Sequence, residues 1–360
     1  LIETLSMKPK LPVAVIGASG YSGEELVRIL LGHPYVELTA ITSRQYAGKP
    51  LAEVFPRLAK LPKAEKLQFV QADVTAISLV AEAVFLALPH GVAAEYAIPL
   101  IKQGKRVFDL SADFRLRDPN VYQEFYGHTC PAPELLSLAV YGLPEIYREK
   151  IRTAQLVACP GCYPTSILLP LIPLLQRKML DPASIIVASL SGVSGAGRKT
   201  EVDYLFCECN ESVRPYGVPK HRHLSEIEQE LSIAAGQPVT IQFVPHLVPT
   251  NRGIVSTIFG QPIGGPVLGT SAQAFLAEVT QTYQNAYKHE PFVRLLGDKR
   301  LPDTKHVIGT NYIDIAWRID PRTGKLIIMS AIDNLIKGAS GQAVQCMNIA
   351  YNLNETLGLA

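Results

Sequence analysis

The sequence lacks any apolar run of membrane-spanning length. Its longest candidate, Ile167 to Leu175, is short and interrupted by Pro170 and Pro173. It has no basic run and no basic–aromatic stripe, which argues against a nucleic-acid partner. Lys and Arg number 34 against 32 Asp and Glu, a net charge of +2. No basic flank followed by an apolar stretch marks the N-terminus, so no secretory signal is expected. Leu1 to Ser6 precede Met7 and are expected to be a leader outside the fold. Cysteine is sparse, six in 360 residues, and does not read as the disulfide framework of a secreted scaffold. A reducing, cytoplasmic setting is expected, in which free thiols are available for chemistry.

What is present is a globular composition, 48% hydrophobic and 18% charged. The length suits two domains. The first half alternates short apolar strands with helices. Strands are expected at 12–16, 36–42, 83–88, 106–110 and 155–158. A helix over 21–33 carries Leu26, Ile29 and Leu30 at helical spacing and stops at Pro34. Fully apolar strands separated by helices predict a parallel sheet covered on both faces. The second half reads differently, with strands at 184–190, 240–244, 253–259, 312–319 and 326–332. Ile313, Ile315, Trp317 and Ile319 share one strand face, Asp314 and Arg318 the other. This pattern predicts a half-buried antiparallel sheet, with helices at 271–287 and 340–352. The composition shifts near Cys162, where the domain change is placed.

Gly17-Ala18-Ser19-Gly20-Tyr21-Ser22-Gly23 joins the first strand to the first helix. A dinucleotide pyrophosphate docks at such a turn, on backbone N–H groups at the helix N-terminus. The spacing is GxxGxxG, not the regular GxGxxG, and an ordinary strand-to-helix turn has the same look. The second strand ends in Ser43-Arg44, where NAD-binding chains usually carry an acid. A hydroxyl and a guanidinium suit the 2′-phosphate of NADP; a plain surface arginine is the alternative.

Cys159-Pro160-Gly161-Cys162-Tyr163-Pro164-Thr165 follows a buried strand and opens an apolar helix. Cys162 at a helix N-terminus is expected to have a lowered pKa and to serve as a nucleophile. Two other readings stay open. Cys159 and Cys162 form a CxxC, the spacing of a redox dithiol. Cys159, Cys162, Cys207, Cys209, His221 and His223 can be drawn as a zinc set, although the CxC and HxH spacings are not those of a usual knuckle. His221-Arg222-His223 leads into a helix, with Glu226 one turn on. A carboxylate so placed is expected to hold a histidine base in one tautomer; a capping segment with solvent-facing histidines is the alternative. The Gly/Ser loop Ser191 to Lys199 is read either as an anion site or as a surface loop.

These segments, with Leu88-Pro89-His90-Gly91, Asp109 to Arg115 and Asp333 to Gln342, resemble the N-acetyl-gamma-glutamyl-phosphate reductase family. That family belongs to the aspartate-semialdehyde-dehydrogenase-like superfamily. The resemblance runs from Gly17 to Gln342, and PGCYPT is its most specific element. It implies an α/β fold, a Rossmann-type doubly wound parallel sheet domain plus a mixed α+β catalytic and oligomerisation domain. The domains would be 7–161, completed by a returning C-terminal helix 335–360, and 162–334. It implies Cys162 as nucleophile and a histidine acid/base, taken as His223 with His221 auxiliary. It also implies NADP binding by Gly17, Ser19, Gly20, Tyr21, Ser22, Gly23, Ser43, Arg44, Pro89, Ser194, Gly195 and Asn334. Arg115 and Arg198 are candidates for the substrate's phosphate or carboxylate. Cys159 stands where the family commonly has asparagine.

The implied activity is NADPH-dependent reduction of an acyl phosphate through a thioacyl enzyme in arginine biosynthesis. No metal and no macromolecular partner is expected beyond a homo-oligomer, dimer or tetramer. A reductase of the longer N-acetyl-aminoadipyl phosphate, free or carrier-linked, and an NADP-binding sensor without turnover are the rival readings.

Overall fold

The computed structural model describes residues 10–198 and 200–359. The leader expected over Leu1 to Ser6 and the second loop cation, Lys199, lie outside the described residues.

Seven strands form the first sheet: β1 (Leu11–Ile16), β2 (Val36–Thr42), β3 (Phe69–Val70), β4 (Ala83–Leu86), β5 (Arg106–Asp109), β6 (Ala139–Tyr141) and β7 (Leu156–Ala158). They are parallel throughout and ordered β3-β2-β1-β4-β5-β7-β6. The apolar runs explain this. Val13 to Ile16 and Ala83 to Leu86 are fully buried, so both faces must be covered. One face packs on Leu26, Val27, Ile29 and Leu30 of the helix Tyr21–Gly32. The other packs on Ala93, Ala94, Ala97 and Leu100. The strand order reverses between β1 and β4, which opens a crevice at the carboxyl ends, where such sheets bind ligands. The short edge strands β3 and β6 carry too little apolar pattern to be read in sequence.

The second sheet contains β8 (Ile186–Gly192), β9 (Arg214–Pro215), β10 (Gln242–Val248), β11 (Ile254–Gly260), β12 (Val293–Gly297), β13 (Ile313–Ile319) and β14 (Leu326–Ile332), ordered β12-β13-β14-β11-β8-β10-β9. It is mixed: the antiparallel expectation holds for β13 with β14, and also for β11 with β14 and β8, but not for the whole sheet. β8 and β10 run parallel because the helix His223–Ala235 crosses between them, and β12 runs parallel to β13. The half-buried expectation also fails at β13. Ile313 to Trp317 are all buried, and Asp314 is shielded by Arg294, whose Nε lies 2.5 Å from its carboxylate.

The helix Cys162–Gln176 lies in the core beside β11, β14 and the helix Gly269–Tyr287. It runs unbroken through Pro170 and Pro173. Each proline removes an N–H and so frees the carbonyl four residues back. Both carbonyls find other donors: Ser330 Oγ donates to Ser166 O at 2.6 Å, and Tyr287 Oη donates to Leu169 O. The interruption is thus satisfied by tertiary hydrogen bonds.

The chain ends in a π turn, Ile336–Ser340, and a buried helix, Gly341–Ala350. Ala343, Val344, Met347 and Ile349 pack on the first sheet. The architecture is α/β, a Rossmann-type parallel sheet joined to a mixed α+β unit. Among the described residues, no helix is long and apolar enough to cross a membrane.

Candidate active site

The glycine turn after β1 has the backbone a bound phosphate requires. Gly17 has φ +84°, and a Cβ there would collide with Ala87 O of the neighbouring strand end. A Cβ on Gly23 would fall 2.5 Å from Gly17 O, so this glycine lets the helix approach the turn. Gly20, the N-cap, faces open space, and no side chain caps the helix. These open N–H groups and the open space beside them fit a nucleotide pyrophosphate. Ser43 Oγ donates to Ser19 Oγ at 2.9 Å, tying the end of β2 to the turn, with Arg44 exposed beside it.

Three other expected nucleotide segments approach the same region. Asn334 Nδ2 donates to Ser194 Oγ at 2.9 Å, and Gly195 stands next to both. Asn334 Oδ1 accepts from Gly253 N at 2.8 Å, and Ser340 Oγ donates to Ser22 O at 2.8 Å. The Pro89 loop is fixed from behind by Asp113, whose two oxygens accept from the N–H groups of Gly91 at 2.7 Å and Ala93 at 3.1 Å. Asp113 was not singled out in the sequence. Its role depends on a loop about twenty residues away, and only the quoted Asp109–Arg115 motif pointed to it. Within that motif, burial and the charge of Asp113 push the Asp109 carboxyl up to about 7, while hydrogen bonds from Ser111 oppose the rise.

Cys162 is the first residue of its helix, and Gly161 is the N-cap. The turn is packed so closely that only glycine fits at two positions. A Cβ on Gly161 would lie 2.7 Å from His223 Nε2 and 3.1 Å from Arg115 Nη1. A Cβ on Gly338, in the π turn, would lie 2.8 Å from Cys162 Cβ. Cys162, His221 and His223 open together onto a cleft of about 360 Å³, with Tyr163, Tyr216 and Arg222 also on its wall.

Two expectations are corrected here. Burial pushes the Cys162 thiol up to about 11; the Tyr163 N–H and the charges of Arg115 and Arg222 pull it down, but by less. The helix terminus therefore does not by itself make a thiolate. Nor does Glu226 hold a histidine. Its carboxylate accepts from Tyr141 Oη at 2.6 Å, Gly161 N at 2.8 Å and Arg115 Nη1 at 3.2 Å. Glu226 thus organises the cysteine turn. His223 Nδ1 is buried without a hydrogen-bond partner, while its main-chain N–H donates to His221 Nδ1 at 3.1 Å. Burial, followed by the charge of Arg222, lowers His221 to about 4. Burial, then His221 and Arg222, carries His223 well below its usual value. Both shifts favour the neutral imidazole at neutral pH and make each ring a weaker base than a free histidine.

The two arginines expected at the substrate are both engaged elsewhere. Arg115 is buried, paired with Glu226 and donating from Nη2 to Leu110 O at 2.8 Å. Arg198 lies at the nucleotide end, over the rings of Tyr21 and Phe55, with Nη2 3.4 Å from Glu24. The dithiol pairing is not formed either. Cys159 is buried against Cys346 in the core of the first sheet, while Cys162 faces the cleft. Among the described residues no three His, Cys, Asp or Glu side chains gather as a metal site.

Two family models match the chain: "Semialdehyde dehydrogenase, NAD binding domain" over residues 12–154 and "Semialdehyde dehydrogenase, dimerisation domain" over 162–334. An N-acetyl-gamma-glutamyl-phosphate reductase of Akkermansia muciniphila is 57% identical over 348 residues, covering 96% of this chain and 98% of that protein. The enzyme of the same name from Geobacter metallireducens is 51% identical over 352 residues, covering 97% and 98%. Among solved structures, aspartate semialdehyde dehydrogenase II from Vibrio cholerae superposes with a TM-score of 0.70 at 17% identity, covering 95% of this chain and 99% of that one. Aspartate semialdehyde dehydrogenase with NADP from Candida albicans gives 0.65 at 16% identity, covering 95% and 99%. With both of its sheets matched by semialdehyde dehydrogenase models and its whole length by these relatives, the chain belongs to the N-acetyl-gamma-glutamyl-phosphate reductase family.

Proposed function

We propose that this oxidoreductase converts N-acetyl-L-glutamyl 5-phosphate to N-acetyl-L-glutamate 5-semialdehyde with NADPH, through a thioacyl intermediate on Cys162, in arginine biosynthesis. The observation that carries the reading is one cleft holding a cysteine at a helix start, two neutral histidines and an arginine. The Cys162 Sγ bonds to the acyl carbon, and the carbon–oxygen bond to phosphate breaks. A resting thiol near 11 must lose its proton as that bond forms, and His223, which lines the same cleft, would accept it. Main-chain N–H groups at the helix start would hold the developing oxyanion. NADPH, when bound, supplies the hydride that reduces the thioester carbon. His223 then returns the proton as the carbon–sulfur bond breaks and the aldehyde leaves.

Ser43 and Arg44 would read the 2′-phosphate, and Ser194, Gly195, Asn334 and Pro89 would close around the cofactor. In this reading residues 7–161 with 335–360 hold the nucleotide, and 162–334 carry the cysteine and the oligomer contacts. The second sheet supports a homo-oligomer: β8 is an inner strand, yet Ile186 and Leu190 stay 42% and 40% exposed on it, an apolar face suited to a second copy. The test is phosphate-dependent reduction of NADP by N-acetylglutamate 5-semialdehyde, compared with its one-carbon-longer homologue. Faster turnover of the longer aldehyde would overturn the substrate, and no turnover of either would overturn the activity.

A further inference from the structure

Three cations stand on the wall of the cysteine cleft: Arg214, Lys220 and Arg222. Two are engaged. Arg214 Nη2 donates to Asp203 O at 2.8 Å and lies 3.5 Å from that residue's carboxylate. Lys220 Nζ pairs with Glu124 at 2.6 Å and sits 4.4 Å over the ring of Phe125. Arg115 and Arg198 are held by Glu226 and Glu24. Arg222 is different. It is half-buried, and among the described residues its guanidinium has no hydrogen-bond or ion-pair partner. It is the N-cap of the helix His223–Ala235, so the two histidines flank it in the chain and share its cleft with Cys162.

We propose that the Arg222 guanidinium seats the phosphate of the acyl-phosphate substrate and holds it as it departs. The proposal rests on the function given above. A guanidinium grips phosphate with two parallel N–H groups, whereas an ammonium meets it as a point charge. In the forward direction the sulfur–carbon bond forms, the carbon–oxygen bond breaks, and phosphate leaves with the bonding electron pair. A cation at the leaving oxygens stabilises that charge where it develops. In reverse, the same seat holds inorganic phosphate for attack on the thioester. Hydride transfer involves no phosphate, so loss of this seat falls most heavily on the half-reaction that releases or uses phosphate, while the charge of Arg222 on Cys162 and the histidines bears on both.

The experiment uses the full chain with Arg222→Ala and Arg222→Lys. With semialdehyde and NADP but no phosphate, each enzyme should form a burst of about one NADPH per Cys162, its rate falling by a smaller factor in Arg222→Ala than the rise in KM for phosphate. With phosphate added, the KM for phosphate should rise at least about tenfold in Arg222→Ala and by less in Arg222→Lys. A second readout is independent of the aldehyde. Inorganic phosphate should protect Cys162 from iodoacetamide in the parent and require at least about tenfold more in Arg222→Ala. The proposal is overturned if the KM for semialdehyde rises while that for phosphate holds, or if the half-protecting phosphate concentration is unchanged. A parent that gives no burst would sink the proposed reaction, while phosphate protection would still decide the role of Arg222.

Discussion

In the proposed reaction Cys162 would depend on its neighbours more than on its own acidity. With the thiol pushed up by burial, its nucleophilicity depends on the adjacent histidines and on two glycines that let the turn close. Cys162→Ser should leave less than about 1% of turnover and unchanged NADP affinity by fluorescence titration, since the hydroxyl is far harder to ionise and the nucleotide segments lie elsewhere. Arg44→Asp should weaken NADP at least about tenfold more than NAD, because it replaces a phosphate partner with a like charge. Equal losses for both cofactors would remove Arg44 from the 2′-phosphate. That the cysteine and the histidine pair share one cleft was legible because each lies in a short contiguous motif. The partners of Glu226 were not. Arg115, Tyr141 and Gly161 lie 111, 85 and 65 residues away in the chain, so the glutamate was matched to the histidine at helical spacing. The ion pairs of Arg115 with Glu226 and of Arg198 with Glu24 were hidden for the same reason: a guanidinium in a sequence does not reveal which carboxylate it meets.

At the scale of elements, the cysteine helix shows how a proline-containing segment stays helical when other elements supply donors. Ser330→Ala should leave Ser166 O without its donor, and Tyr287→Phe should do the same to Leu169 O. Each should cost about 1–3 kcal/mol in urea unfolding, the range for a buried polar group left unsatisfied. A loss below a few tenths of a kcal/mol in both would mean that the helix tolerates its open carbonyls. The strands rich in β-branched residues were readable from their apolar runs. The parallel pairings of β8 with β10 and of β12 with β13 were not, because direction depends on the path of the intervening chain.

For the whole molecule, a buried carboxylate joins distant parts of the chain. Glu25, on the helix after the glycine turn, accepts from Arg252 at 2.6 Å, from Arg28 at 2.8 Å and from Arg57 at 2.9 Å. Burial alone would raise its pKa, but these three hydrogen bonds outweigh it and hold Glu25 down to about 2. A depressed folded pKa stabilises the protein above the unfolded value, and that stability is lost as pH falls from about 4.5 to about 2. The contribution is about 3 kcal/mol at neutral pH, of which the Arg252 bond, from the chain of the second sheet, is one part. Glu25→Gln should therefore be less stable than the parent at pH 7, and the two should converge near pH 2 in thermal melts. Parallel melting curves across that range would show that Glu25 does not titrate on unfolding.

The π turn that brings Gly338 against Cys162 comes near the end of the chain, and the helix behind it covers the first sheet. Synthesis proceeds from the other end. The glycine turn, the first sheet and the cysteine all leave the ribosome before the residues that back the nucleophile and cover the sheet's last apolar face. Cys162 is therefore made long before Gly338, the residue that closes on it, so the packing of its turn waits on chain synthesised later.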